Sequence, residues 1–337
     1  MPTGAYRRAG VDLEAAAEAT RLIADLAREA SRDEVVEGVG GFAGLYRIGG
    51  GRLLAAATDG VGTKLEIATM AGRFDTVGID LVAMCANDVV CTGAEPVFFL
   101  DYLAVGRLVP EHAAAVVAGV AEGCRRAGCA LLGGETAEHP GVLEEGRFDL
   151  AGFCVGVVPE ERMLGPQRVG LGDALLGLPS SGLHSNGFSL VRRALEETET
   201  DVFSTPKELT RPLVEELLEP TLIYVPAVLA LSERGLVHSA AHITGGGIPE
   251  NLPRALPEGL GAVVDRGSWE PPPVFSLVER ISQASSSDLL RTLNMGMGMI
   301  LVVPADAVPE ARSVAEEHGH VAVPLGRVEE ASEVRFT

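Results

Sequence analysis

The amino-acid sequence predicts a two-domain protein of the α/β (α+β) class, and three observations carry that expectation. The chain has 337 residues, long enough for about two domains with sizeable cores. Short apolar strands alternate with longer helical patterns through both halves. A turn-rich stretch at 159–172 (PEERMLGPQRVGLG) divides the two series and sets domains of 1–165 and 166–337.

The elements follow in order. Residues 11–31 read as an amphipathic helix, with Leu13, Ala16, Ala17, Thr20, Ile23, Ala24 and Ala27 at i, i+3, i+4 spacing and Asp12 as N-cap. A glycine-rich stretch (38–44, then 49–51) precedes a strand at 52–58. Residues 76–92 form an apolar helix and 97–105 a strand. Pro110 opens a helix to about 127. A strand at 130–132 ends in a Gly-Gly-Glu-Thr loop, and 151–158 is a further strand. In the second half, strands fall at 174–178, 240–243, 262–265 and 299–303. Helices fall at 188–196, 211–218 and 221–234, after Pro249, after Pro273, and at 306–318.

Composition excludes several function classes. With 27 basic against 47 acidic residues the net charge is −20, and neither half is basic. That argues against a nucleic-acid binder or a protein of anionic membranes. The N-terminus lacks an apolar export core, and the longest uncharged stretches are polar or too short to span a bilayer. The five cysteines form no Cys-x-x-Cys pair. They read as free thiols of a cytoplasmic protein rather than as a zinc site.

Glycine marks the candidate chemistry. Of 41 glycines, 18 fall in seven short segments: 38–44, 49–51, 60–62, 133–134, 182–187, 245–247 and 296–298. Several end apolar strands, where glycine lets backbone N–H groups approach an anion. Phosphate handling outside the known loops is the expectation. Gly60–Lys64 lacks the P-loop spacing, and no strand precedes Gly38 as a dinucleotide fold requires.

Lysine is scarce: of the 27 basic residues only Lys64 and Lys207 are lysine. Lys64 closes the loop that Asp59 opens, a carboxylate for a metal beside an ammonium for a phosphate. The alternative is an Asp-Gly turn with a solvated lysine. Asp80 and Asp88, eight residues apart on one helix, share a face. They are buried with a metal or partner, or the helix is half exposed. Glu135 and Thr136 end the Gly-Gly strand. In SSGLHSNG (180–187), His184 is either a general acid or base or a capping residue.

Together these strings resemble the phosphoribosylformylglycinamidine cyclo-ligases, or AIR synthetases, of purine biosynthesis. The matching residues are Tyr6 with AGVD (9–12), TDGVGTK (58–64), GIDLVAMC (78–85), Asn87-Asp88, GAEP (93–96) and FFLDY (98–102). They continue through GGETAE (133–138), AGFCVG (151–156), SSGLHSNG (180–187), HITGGG (242–247) and NMGMGM (294–299). The order is the family's, and the motifs cover nearly the whole chain. Arg8, His139 and Leu293 depart from its usual Asp, Met and Phe. His242 stands where wider relatives begin the motif with Asp.

The resemblance implies two domains, each a mixed sheet packed with helices, and a homodimer joined through N-terminal-domain strands. It implies ATP and Mg2+ as cofactors and formylglycinamidine ribonucleotide as substrate, with no nucleic-acid or membrane partner. ATP phosphorylates the formyl amide oxygen, the amidine nitrogen closes the ring, and ADP, phosphate and aminoimidazole ribonucleotide leave. The implied magnesium ligands are Asp59, Asp80 and Asp88. The implied nucleotide contacts are Asp59, Gly60, Gly62, Thr63, Lys64, Asn87, Glu135, Thr136, Thr244, Gly245 and Gly246. Lys64, His184 and Asn186 are the implied catalytic residues.

Overall fold

The computed structural model describes residues 9–11 and 13–337. Tyr6, Arg8 and the expected cap Asp12 lie outside them. The order is α1 (Leu13–Glu29), β1 (Val35–Glu37), β2 (Gly44–Gly49), β3 (Arg52–Gly60), α2 (Lys64–Ala71), α3 (Val77–Cys91), β4 (Glu95–Val105), α4 (Pro110–Ala127), β5 (Ala130–Glu138) and β6 (Phe148–Pro159). There follow β7 (Ala174–Pro179), α5 (Phe188–Glu197), α6 (Leu213–Leu217), α7 (Val225–Glu233), β8 (Ser239–His242), α8 (Gly247–Asn251) and β9 (Leu260–Val264). The chain ends with α9 (Pro273–Ser282), α10 (Ser286–Thr292), β10 (Met297–Val303), α11 (Val308–Glu317), β11 (Val323–Glu330) and β12 (Val334–Phe336).

Two mixed sheets organise the molecule. The first has the order β1-β2-β3-β6-β4-β5, and the second β12-β9-β11-β7-β10-β8. In each, one pair is parallel, β4 with β5 and β9 with β12, and the others are antiparallel. The second sheet is buried on both faces. Met299, Leu301 and Val303 of β10 join the large core that also holds Leu53, Leu81 and Phe99 of the first half. Ile300 and Val302 point into a smaller core with Ile243 and Val264, as the two-residue period of a strand requires. The first sheet is covered on one side only. Its other face leaves Tyr102 and Phe153 about two-fifths exposed (41% and 39%).

Helix α3 is the centre of the molecule, and all of its residues except Asp88 are buried. It packs against the first sheet, α4, α7 and β8, which explains a helix that is apolar all round. The approach to α4 is made by glycine. A Cβ on Gly78 would lie 2.3 Å from both the Val116 carbonyl oxygen and the Val120 nitrogen, and one on Gly123 would lie 2.8 Å from Val82.

Three expectations change. Helix α1 forms, but its apolar stripe is not buried: Ile23 is 54% exposed and Leu26 more so. The strand expected to stop at 132 runs on to Glu138 through both glycines, because its backbone pairs with β4 as far as Val105. Strands β1, β2, β11 and β12 and helices α2 and α10 fall where no element was read. Gly78→Val is expected to lower stability by at least ~1–3 kcal/mol, since backbone rather than a mobile side chain meets the added atoms. Thermal unfolding against wild type measures it, and an unchanged Tm refutes this account of the α3–α4 contact.

Candidate active site at the domain junction

The two halves meet at a buried ion pair. Lys64, the first residue of α2, and Asp80 in the first turn of α3 are both fully buried. The ammonium lies 2.8 Å from Asp80 Oδ2 and donates to Asp80 Oδ1 at 2.9 Å, to the His184 carbonyl at 3.1 Å and to the Glu219 carbonyl at 2.8 Å. Asp80 Oδ1 also accepts from the amide and hydroxyl of Thr221, each at 2.7 Å. Every donor of the lysine is therefore spent within the protein. Burial pushes the lysine down, and the Asp80 charge opposes that shift.

These contacts bear on two expectations. Lys64 has no donor left for an ATP phosphate, and its ammonium is sealed from solvent. Asp80 Oδ1 is committed to Lys64 and Thr221, while Oδ2 lies 2.8 Å from the ammonium and has no hydrogen-bond partner among the described residues. Asn87 is also engaged within the protein. Its side-chain amide donates to the Leu222 carbonyl and its oxygen accepts from the Tyr224 amide, each at 2.9 Å. The segment 219–224, which joins α6 to α7, is thus stitched to α2 and α3 by Lys64, Asp80 and Asn87. The helix expected from 221 begins only at Val225, because the backbone of Thr221, Leu222 and Tyr224 is bound by Asp80 and Asn87 instead.

Asp59 and Asp88 form a different group. Asp59 ends β3 and accepts from its neighbour Gly60 at 2.7 Å. Burial, and then the Asp88 charge, push its carboxyl up to about 6. Asp88 meets Nδ1 of the buried His242 at 2.8 Å, so the histidine in place of the wider relatives' Asp supports one carboxylate. Among the described residues no group of three or more His, Cys, Asp or Glu side chains is arranged around a metal position.

Glycine turns adjoin both acids, one following Asp59 and one following His242, the partner of Asp88. Gly60, Gly62 and Thr63 make the β3–α2 turn, with Gly62 at φ +69°, and the Thr63 hydroxyl meets Ser189 of α5 at 3.2 Å. Thr244, Gly245 and Gly246 follow β8. The Gly245 amide donates to Asn186 Oδ1 at 3.0 Å, and the Gly247 amide closes the turn on the Thr244 carbonyl at 3.0 Å. Glu135 and Thr136 are not brought to this place. They lie exposed on β5, three strands from β3, about 14 Å at the usual strand spacing, and Glu135 is turned onto the Thr136 amide.

His184 is held in a left-handed conformation (φ +60°). Its Nε2 accepts from the amides of Ser181 at 3.2 Å and Leu222 at 3.5 Å, which leaves the ring proton on Nδ1. That buried Nδ1 has no partner among the described residues. Burial, with His242 and Lys64 nearby, holds the imidazole well below the usual histidine value. It is therefore a neutral donor, not an imidazolium acid. Beside it, a Cβ on Gly298 would lie 2.7 Å from the ring and 1.9 Å from the Tyr224 hydroxyl, which accounts for the second glycine of the NMGMG string.

Comparison with known proteins fits this arrangement. Residues 40–158 match the family described as AIR synthase related protein, N-terminal domain, and residues 170–337 the corresponding C-terminal domain. The phosphoribosylformylglycinamidine cyclo-ligase of Myxococcus xanthus is 52% identical, over 96% of this chain and 95% of that protein. The chain belongs to the phosphoribosylformylglycinamidine cyclo-ligase family. The cyclo-ligase of a Synechococcus strain is 50% identical over 97% and 96% of the two chains.

Solved structures share the cyclo-ligase fold at low identity. A thiamine-monophosphate kinase from Stenotrophomonas maltophilia superposes with a TM-score of 0.63 at 19% identity, over 94% of this chain and 95% of that one. Thermotoga maritima PurL complexed with FGAR gives 0.60 at 18%, over 89% of this chain and 46% of that one.

Breaking the buried pair tests its place in the fold. Lys64→Met leaves Asp80 charged and buried, and is expected to cost ~3–5 kcal/mol. Adding Asp80→Leu removes the orphaned charge and is expected to recover part of that loss. Urea unfolding measures both; a single variant as stable as wild type contradicts the pairing.

Proposed function

We infer that this chain is the ATP-dependent enzyme that closes the imidazole ring of 5-aminoimidazole ribonucleotide from formylglycinamidine ribonucleotide. The family assignment names the reaction class. The observation that gives it a site is the Asp59–Asp88 carboxylate pair ringed by glycine turns of both domains.

The chemistry follows from the substrate. A formamide oxygen is a poor leaving group. The γ-phosphoryl group passes from ATP to that oxygen and ADP departs; the amidine nitrogen then attacks the formyl carbon, and the C–O bond breaks to release phosphate. Catalysis consists of positioning the groups and neutralising the transferring phosphoryl.

Asp59 and Asp88 fit magnesium, which takes oxygen ligands and is bound by one or two carboxylates together with substrate phosphates. The raised Asp59 carboxyl marks a place where a cation would relieve repulsion between the two acids. When bound there, magnesium would offset the phosphate charge. The turns at Gly60, Gly62 and Thr63 and at Thr244, Gly245 and Gly246 offer backbone N–H groups to phosphates. His184 Nδ1–H and Asn186 face the reacting formylglycinamidine: the first donates to a substrate oxygen or nitrogen, and the second fixes the 244–247 turn.

The second copy of a homodimer is placed on the open face of the first sheet. Tyr102 and Phe153 are exposed there, and Leu132, the extra residue at the β5 bulge, is 65% exposed. Large apolar side chains grouped on one surface mark an interface. Glu135 and Thr136, on that edge strand, take part in nucleotide binding only through such a pairing. The five unpaired thiols support a reducing, cytoplasmic setting.

Purified protein with formylglycinamidine ribonucleotide, ATP and magnesium is expected to form aminoimidazole ribonucleotide, and to lose turnover on chelation of the metal. Asp59→Asn is expected to lower kcat at least 100-fold while leaving Tm equal or higher, because it removes a like charge beside Asp88. Activity within tenfold of wild type would sink the metal role. Leu132→Glu is expected to shift sedimentation from dimer to monomer; an unchanged profile refutes the interface.

A further inference from the structure

Arg254 lies in the single 3-10 turn that follows α8, outside every motif read from the sequence, yet its guanidinium reaches back into the first domain. Nε donates to the Gly40 carbonyl at 3.2 Å and Nη2 to the Gly41 carbonyl at 2.7 Å. The guanidinium carbon lies 3.9 Å from the centroid of the Phe42 ring, within stacking range. Phe42 itself packs against both apolar cores.

The third arm faces the other way. Nη1 donates to Asn251 Oδ1 at 3.0 Å, and Asn251 Nδ2 donates to the Gly245 and Gly247 carbonyls at 3.0 and 2.9 Å. Gly245 is in turn bound by Asn186. An unbroken polar chain therefore runs from the 38–44 segment through Arg254 and Asn251 to the 244–247 turn and the loop that carries His184.

Both ends of the chain are glycine turns of special geometry. Gly40 sits at φ +120° and Gly246 at φ +92°. A Cβ on Gly41 would lie 2.1 Å from the Glu37 carboxylate, and one on Gly247 would lie 1.9 Å from the Leu290 carbonyl. Neither turn forms a hydrogen-bonded helix or sheet that would fix it against the other domain. A planar fork that holds two carbonyls while stacking on a ring supplies that fixation, and a lysine point charge does not.

We propose that Arg254 is a positioning residue, clasping the 38–44 segment of the first domain to the 244–247 turn of the second so that the two turns meet a phosphate group as one preformed cradle. The proposal rests on the cyclo-ligase reading for the identity of its ligands, ATP or the ribonucleotide monophosphate. The clasp itself is independent of that reading. Preorganising two loops removes an ordering cost that binding would otherwise bear, so the effect falls on KM more than on kcat.

The test uses the full chain with Arg254→Ala and Arg254→Lys. Hydrogen exchange of the 38–44 segment is expected to quicken at least tenfold in both, while exchange in α3 stays as in wild type. KM is expected to rise at least tenfold for ATP or for the ribonucleotide, and the ligand affected identifies whose phosphate the cradle holds. Lysine is expected to rescue less than half of that rise. Unchanged exchange at 38–44, or unchanged KM for both ligands, overturns the proposal, as does a loss confined to kcat. If wild type fails to turn over the ribonucleotide, the functional reading falls, while the exchange measurement still decides the clasp. If Arg254→Ala does not fold, Arg254→Lys carries the same readouts.

Discussion

The structure depends on one buried contact, the Lys64–Asp80 pair. Isolated, either charge would be costly at the centre of the molecule. Together, and with the carbonyls of His184 and Glu219 and both donors of Thr221, they satisfy the ammonium and Asp80 Oδ1, and Oδ2 faces the ammonium at 2.8 Å. A buried ion pair contributes little net stability over an apolar replacement but imposes strict geometry. Here that geometry sets α2 and α3 of the first domain against the 180–187 loop and the 219–224 segment of the second. It adds a polar joint to the apolar core that the two halves share.

The same contact reassigns the charges of the site. Lys64 spends its donors within the joint, in a chain of net charge −20. Also at the junction are Asp59 and Asp88, the first raised by burial and by the second, beside glycine turns whose Gly60 and Gly245 amides donate to Asp59 and Asn186. On the proposed reading, a divalent cation and phosphate would balance these acids and the turn amides. Asp59 is thus an acid whose ionisation is opposed by burial and by a like charge.

Much of this was legible in the sequence, and the failures have physical causes. Strands β3, β4, β6, β7 and β10 and helices α3, α4 and α5 announced themselves by apolar runs bounded by turn residues. Strand β5 was cut short because Gly133 and Gly134 are poor strand formers, and only pairing with β4 overrides them. The stripe of α1 has the right period but no partner surface among the described residues, and period alone does not reveal that. Asp59 stood out as an acid at a strand end, Asp88 as an acid on an apolar helix and His184 in a polar, glycine-flanked loop. Lys64 was singled out for a sound reason, its rarity, but rarity does not distinguish a phosphate contact from a buried strut. Only the partners of the ammonium do. Arg254 and Asn251 went unseen because arginine and asparagine after a helix are ordinary, and their long-range partners are backbone atoms without a sequence signature.

The most direct test asks whether the positive charge at position 64 binds nucleotide. In the double variant Lys64→Met/Asp80→Leu the charge is gone while the joint stays filled. Titration calorimetry of magnesium and a non-hydrolysable ATP analogue into the folded variant measures the outcome. The account predicts a Kd within about threefold of wild type, a difference below ~0.7 kcal/mol. A folded double variant whose Kd rises thirtyfold or more would contradict it and return Lys64 to the phosphates.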